Sequence, residues 1–218
     1  SVNFKENLYD ESKYSNQIAS ACGTKHYEIN LSEKELFNKL PLALQAMDQP
    51  TVDGINTYII SQAAREKGLK VALSGLGGDE LFAGYDSFKI IPVLNTFYNY
   101  INSLPLSFRK QIGNLVSKLM ISSDKSTKLV DLLNGQINGA HVYFLIRSLF
   151  CAENICTLIP DESIKNKELL KNYKKTQKII DLKQNLSLID LTSFLELTQY
   201  TTPTLLRDTD MMSMVHGL

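Results

Sequence analysis

The apolar run Leu69-Lys70-Val71-Ala72-Leu73 passes without a break into Ser74-Gly75-Leu76-Gly77-Gly78-Asp79-Glu80, then into Leu81-Phe82-Ala83-Gly84-Tyr85. An apolar run of that length, bounded by turn residues, reads as a buried strand. The glycines that follow leave a backbone almost free of side chains, so a ligand can come close to its N–H groups. Asp79 and Glu80 then add two carboxylates where a helical turn begins. Open backbone donors beside hard oxygen ligands suit a phosphate chain carrying Mg²⁺. The same residues also fit a glycine-rich turn with acids capping a helix N-terminus, where negative charge is favourable in any case. Spacing alone leaves both readings open.

Upstream of the loop, helical and extended patterns alternate. Val2-Asn3-Phe4 reads as the end of a strand. Residues 11–22 place Tyr14, Ile18 and Ala21 near one helical face and stop at Gly23. Residues 26–31 alternate, with Tyr27, Ile29 and Leu31 on one side, as a strand does. Ser32-Glu33-Lys34-Glu35 is a capping box. It opens a helix that Pro41 is expected to break or restart before Met47. Residues 55–67 carry Ile55, Tyr58, Ile59 and Ala63 at helical spacing. This order predicts an α/β fold, a mostly parallel sheet with flanking helices. The glycine loop then lies at a strand's C-terminal end, where such sheets bind ligands. Residues 1–85 are assigned to this core. From 86 to 218 the strand patterns fade, and 88–104, 107–121, 126–133, 140–150, 166–176 and 186–200 favour helix. Pro105, Gly135, Gly139, Pro160 and Pro203 are the expected breaks in this long helical extension of the same domain.

Charge and composition narrow the partners. Lys+Arg and Asp+Glu balance at 23 each in the 218-residue chain, so no net basic field argues for nucleic acid. The basic cluster at 165–178 alternates with Glu168 and asparagines and reads as a solvated helix face. No stretch approaches the roughly 20 apolar residues that span a bilayer. The N-terminus lacks the pattern of a signal peptide, and the whole fits a cytoplasmic domain. Cys22, Cys151 and Cys156 have no metal-ligand spacing and read as reduced, mostly buried thiols. His26, His141 and His216 form no helical metal pair and read as structural. Phe97-Tyr98-Asn99-Tyr100, with no basic face beside it, reads as helix packing rather than base stacking.

Residues 74–85, SGLGGDELFAGY, resemble the second nucleotide-site motif of asparagine synthetases and related ATP-dependent amidotransferases, SG-x-G-x-DE-x-F-x-GY. Two further segments are similar in the same order. Ala46-Met47-Asp48-Gln49-Pro50, followed by Asp53-Gly54-Ile55-Asn56-Thr57-Tyr58, resembles the family's Asp-Glu-Pro segment and the helix after it. Residues 205–218, LLRDTDMMSMVHGL, resemble the family's LRD-x-DRMSMAHGLE segment. The resemblance implies a fold like that of the ATP pyrophosphatases and adenine nucleotide alpha-hydrolases. It also implies a reaction in which ATP adenylates a carboxylate, aspartate in the named family. Ammonia derived from glutamine then forms the amide, with AMP and pyrophosphate released. ATP and Mg²⁺ are the implied cofactors, and positioning with charge neutralisation is the main catalytic device.

Residue by residue, the resemblance puts Ser74, Gly75, Gly77 and Gly78 against the nucleotide and makes Asp79 the Mg²⁺-binding aspartate. Glu80 supports the loop as a capping group, and Tyr85 closes the packing beneath it. Arg207 and Asp48 are the candidate catalytic residues. A planar, permanently charged guanidinium suits clamping a phosphate or carboxylate; the alternative for Arg207 is an ion pair with Asp208 or Asp210 that fixes the last helix. Asp48 is a candidate polar wall of the acceptor site, or it shapes the turn before Pro50. Asn56 and Thr57 reach the same cleft or cap the helix.

Two positions depart from the family pattern. Leu76 stands where asparagine synthetases commonly carry an acid, and it cannot transfer a proton. Gln49 replaces the usual glutamate. Three readings follow: an aspartate-using synthetase that relies on other groups, an amidotransferase of polysaccharide or secondary metabolism with another acceptor, or a non-catalytic scaffold. The chain carries no SGG-x-DS pyrophosphate loop, no glutamine-hydrolysing domain and no downstream catalytic lysine segment. It is therefore expected to be a fragment of a synthetase domain, inactive alone. Its expected partners are small molecules, with a homodimer left open.

Overall fold

The alternation read at the N-terminus begins as a strand–helix–strand unit. The computed structural model describes residues 1–4, 12–51, 53–119, 124–133, 140–148, 175–176, 178–181 and 185–218. Its elements are β1 (Val2–Phe4), α1 (Ser12–Ala21), β2 (Ile29–Leu31), α2 (Glu33–Ala46), α3 (Gly54–Glu66), α4 (Gly78–Phe82), α5 (Ser87–Asn102), α6 (Leu106–Leu119), α7 (Asp124–Leu133) and α8 (Ala140–Arg147). After these come α9 (Leu188–Leu195), a π-helix (Glu196–Leu206) and α10 (Arg207–Val215). The helix expected at 166–176 falls almost wholly outside the described residues. No helix among the described residues is long and apolar enough to cross a membrane.

The chain forms two compact units. The first comprises Ser1–Gly77 and Thr198–Leu218, the second Gly78–Leu197.

In the first unit β1 and β2 pair in parallel, with Val2 opposite Ile29, Asn3 opposite Asn30 and Phe4 opposite Leu31. Parallel neighbours need a crossover, which α1 supplies. Ser32 caps α2 as its sequence predicts: the Glu35 N–H donates to Ser32 Oγ at 3.3 Å, and the Ser32 N–H donates to Glu35 Oε2 at 2.9 Å. Pro41 does not break the helix, contrary to expectation, and α2 runs through it to Ala46. The lost N–H costs one ladder bond. Burial of Ala43 at 0 % exposure, beside Leu31, Tyr58, Ile59 and Met212, holds both sides of that gap in one core. Helix α10 lies along α3, and Gly54 lets them come close. A β-carbon there would stand 2.9 Å from Thr51 Cγ2 and 3.0 Å from Met212 Cε.

The sheet among the described residues is two-stranded, narrower than the sequence predicts. Residues 69–73, expected as a buried strand, take no regular structure, and Val71 and Leu73 are 77 % and 100 % exposed. A strand is made by its ladder as much as by its side chains, and β1 and β2 pair with each other.

In the second unit the helices enclose Ile91, Tyr98, Leu132, Val142, Tyr143 and Leu195. Pro105 separates α5 from α6 as expected, whereas Pro92 sits inside α5. Pro203 also fails to end its helix. A proline ring is incompatible with the ordinary carbonyl four residues back, and here it sits within the wider turns of an 11-residue π-helix, a form rare enough to mark special sites.

His216, just past α10, packs edge-on against Tyr58 with ring centroids 4.4 Å apart. Its Nε2 is buried without a hydrogen-bond partner. Burial, aided by the charge of Lys39, holds the imidazole below its ordinary value of 6.5, against the opposing pull of Glu66 and a backbone hydrogen bond at Tyr58. The unfolded chain therefore takes up this proton first as pH falls. Stability from His216 is complete above pH 6.5 and declines below it, until the folded imidazole also protonates. The unfolding midpoint of the wild type should fall from pH 7 to pH 5.5 more steeply than that of His216→Asn. Parallel pH profiles would show that His216 is not the group responsible.

Candidate functional site

The glycine loop is open where its sequence says it should be. Added β-carbons at Gly75, Gly77 and Gly78 would meet nothing within 4 Å, and Gly77 takes φ +91°, a region closed to most side chains. Ser74 is exposed; its Oγ accepts the Leu76 N–H at 3.3 Å, a local turn bond that leaves the hydroxyl hydrogen to donate elsewhere. Leu76 is also exposed. Gly78 opens α4, whose first turn carries Asp79 and Glu80. Asp79 is exposed and Glu80 is buried at 1 %. Among the described residues no three His, Cys, Asp or Glu side chains gather to hold a metal. A lone carboxylate still fits Mg²⁺, which is usually bound through one or two carboxylates together with substrate phosphates and water.

Helix α4 ends in a tight wrap around Asp79. The Gly84 N–H donates to the Asp79 carbonyl at 2.8 Å, the six-to-one bond of a Schellman cap, in which the preceding residue takes a left-handed conformation. That residue is Ala83, at φ +58°. Glycine suits the next position, because a β-carbon at 84 would lie 2.1 Å from Asp79 Oδ1 and 3.1 Å from Asp79 Cα and would push the Asp79 side chain aside. Left-handed backbone costs an L-residue with a β-carbon about 1 kcal/mol relative to glycine. Ala83→Gly should therefore raise unfolding stability by about 1 kcal/mol in urea titrations; a neutral or lower value would show that the turn carries no such strain.

Behind this wrap lies a buried polar network that the sequence reading missed. Tyr85 donates its hydroxyl hydrogen to Glu80 Oε1 at 3.1 Å. The Arg147 guanidinium lies 4.5 Å above the Tyr85 ring. Arg147 in turn grips Glu196, with Nε 2.9 and 2.8 Å from the two carboxylate oxygens and Nη2 2.8 Å from Oε2. Glu196 is 0 % exposed and also accepts from Ser87 Oγ at 2.6 Å and Tyr143 OH at 3.3 Å. One signal was available: Glu196 is a carboxylate between Leu195 and Leu197 in an otherwise apolar stretch. Such a residue is buried only when paired.

In the first unit the Asp48–Pro50 segment and the start of α10 meet. Arg207 Nη1 donates to Gln49 Oε1 at 2.6 Å, while Nη2 and Nε donate to Asp208 Oδ1 at 3.0 and 3.3 Å. Asp208 is 3 % exposed and also accepts from Thr51 Oγ1 at 2.6 Å. Tyr200 closes the same loop by donating to Asp53 Oδ2 at 3.0 Å. Arg207 thus makes the ion pair with Asp208 weighed in the sequence, and it also reaches Gln49. Asp48 itself is exposed and makes no hydrogen bond among the described residues. Asn56 and Thr57 lie in the first turn of α3, their N–H groups bonded to the Asp53 carbonyl.

Similarity to known proteins follows these segments. The chain is 26% identical over 204 residues to an asparagine synthetase [glutamine-hydrolyzing] 1 of Bacillus subtilis, covering 92% of this chain and 28% of that protein. It is 33% identical over 148 residues to a putative asparagine synthetase [glutamine-hydrolyzing] 2 of Methanocaldococcus jannaschii, covering 66% of this chain and 24% of the relative. A third relative, the amidase ChyE of Penicillium rubens, is 29% identical over 139 residues, covering 61% of this chain and 21% of its own. The chain thus spans only a fraction, 28%, 24% and 21%, of these curated relatives. No solved structure matches. The family model described as asparagine synthase matches residues 1–218. With that match running from the first residue to the last, the chain belongs to the asparagine synthase family.

Proposed function

We propose that this chain is part of an ATP-dependent amide ligase that adenylates a carboxylate, aspartate being the first candidate, and passes the acyl group to ammonia released from glutamine. The observation that carries this reading is the open glycine loop running into Asp79, in a chain of the asparagine synthase family. The acceptor's carboxylate oxygen attacks the α-phosphorus of ATP and pyrophosphate leaves. Ammonia then attacks the acyl carbon, and AMP leaves with the bonding electrons. The N–H groups at Gly75, Gly77 and Gly78 and the Ser74 hydroxyl would bind nucleotide oxygens; the open space around the three glycines among the described residues supports this. Asp79 would hold Mg²⁺, which neutralises phosphate charge when bound. Arg207, fixed by Gln49 and Asp208, would present a guanidinium edge to an anion, with Asp48 beside that segment.

A second acceptor is favoured by a specific observation. Leu76 is apolar, and Gln49 offers Arg207 a neutral oxygen where the family carries glutamate. Both changes remove negative charge, and the relative named an amidase shows that family likeness extends beyond proteins named asparagine synthetase. The full-length protein should be given Mg-ATP and labelled pyrophosphate with a panel of carboxylates. Exchange dependent on aspartate supports the first acceptor. Exchange dependent on another carboxylate keeps the ligase and replaces the substrate. No exchange with any carboxylate sinks the ligase reading in favour of a scaffold.

A further inference from the structure

We infer that Glu196 is a positioning residue for Asp79, acting through Arg147 and Tyr85 on the end of α4; this rests on the reading of Asp79 as the Mg²⁺-binding group. Asp79 is exposed on a helix of only five residues, and among the described residues its side chain makes no hydrogen bond that fixes its direction. The constraint comes from below. Glu80, the next residue, is buried at 1 % and takes the Tyr85 hydroxyl at 3.1 Å. Tyr85 immediately follows Gly84, whose N–H closes on the Asp79 carbonyl at 2.8 Å. The Tyr85 ring is covered by the Arg147 guanidinium at 4.5 Å. That guanidinium is oriented by contacts from two of its nitrogens to Glu196. Glu196 is itself pinned by Ser87 and Tyr143.

An apolar filling would hold this space as firmly. Buried ion pairs replaced by well-packed hydrophobic residues of similar volume are often neutral or stabilising. What such a filling lacks is direction. A guanidinium held against a carboxylate has one orientation, and it fixes the plane of the ring it covers. The tyrosine hydroxyl then reaches Glu80 from one side only. The network therefore sets where the backbone of residues 79–84 sits, which is what a metal ligand with one carboxylate most needs.

Tyr85→Phe tests this with the smallest change, removing one hydroxyl and leaving the ring under Arg147. In the full-length protein it should raise the Mg²⁺ concentration for half-maximal pyrophosphate exchange about tenfold, the usual effect of losing a partner behind a metal ligand. The rate at saturating Mg²⁺ should stay within about twofold of wild type. Glu196→Gln keeps the shape but loosens Arg147, and should shift the Mg²⁺ requirement in the same direction. If Glu196→Gln fails to fold, Tyr85→Phe decides alone. Wild-type Mg²⁺ dependence in Tyr85→Phe overturns the inference while leaving the ligase reading intact. So does a loss of rate that tracks only the unfolded fraction. Absence of exchange in the wild type with every carboxylate overturns both.

Discussion

Asp79→Asn should lower carboxylate-dependent pyrophosphate exchange in the full-length protein by about a hundredfold or more, the scale of several kcal/mol of lost charge stabilisation. Size and shape are conserved, and the side chain is exposed without a hydrogen bond among the described residues. Among the described residues no side chain pairs with its charge, so the unfolding free energy should move by no more than about 0.5 kcal/mol. Raising Mg²⁺ should recover part of the rate, since a weakened ligand shifts occupancy first. Exchange near the wild-type rate at low Mg²⁺ would remove Asp79 from the metal site. A fall in exchange matched by a fall in stability would point instead to the wrap that Gly84 makes around this residue.

The largest expected effect on stability is at Asp208. Its carboxylate is 3 % exposed, and both oxygens are used, by Thr51 and by Arg207. Asp208→Ala strands a hydroxyl and a guanidinium whose side chain is 27 % exposed. Removing one member of a buried charged pair costs about 3 kcal/mol or more, most of it from the partner left behind. Urea unfolding of Asp208→Ala, Thr51→Val and the double variant resolves the contributions. The double variant should lose less than the sum of the singles, because the Thr51 hydroxyl hydrogen loses its acceptor once Asp208 is gone and keeps only the bond it accepts from the Asp53 N–H. A loss under about 1 kcal/mol for Asp208→Ala would mean that Arg207 swings into solvent and that the clamp on Gln49 is not built on this pair.

What was legible in the sequence was mostly what is local. The Ser32–Glu35 capping box spans four residues and forms as its pattern requires. The break at Pro105 and the open glycines at 75, 77 and 78 are likewise properties of a few adjacent residues. Prolines at 41 and 203 misled because their cost is local, about 3 kcal/mol in a helix interior, whereas the packing that outweighs it comes from other helices. The apolar run at 69–73 shows a different limit. Alternating burial can be read from side chains, but pairing requires a neighbour that no local pattern specifies.

The candidate site divides in the same way. Each matching segment was recognisable by itself, yet the bond from Arg207 to Gln49 joins residues 158 apart in sequence, and no spacing rule reaches that far. Glu196 was overlooked because a single acid near a helix end looks like ordinary surface. Its partners Ser87, Tyr143 and above all Arg147 show it to be interior.

The close fit at Gly54 has a consequence for how this chain can change over generations. A β-carbon at 54 would press on Thr51 Cγ2 at 2.9 Å and Met212 Cε at 3.0 Å, so drift at 54 is tied to drift at its near neighbour 51 and at 212, which lies far from it in the gene. A larger residue there displaces these side chains, and a smaller residue at 51 or 212 relieves the pressure. Lineages that differ at one of these sites should differ at the others, and grafting residue 54 from one lineage into another should fail unless its companions travel with it.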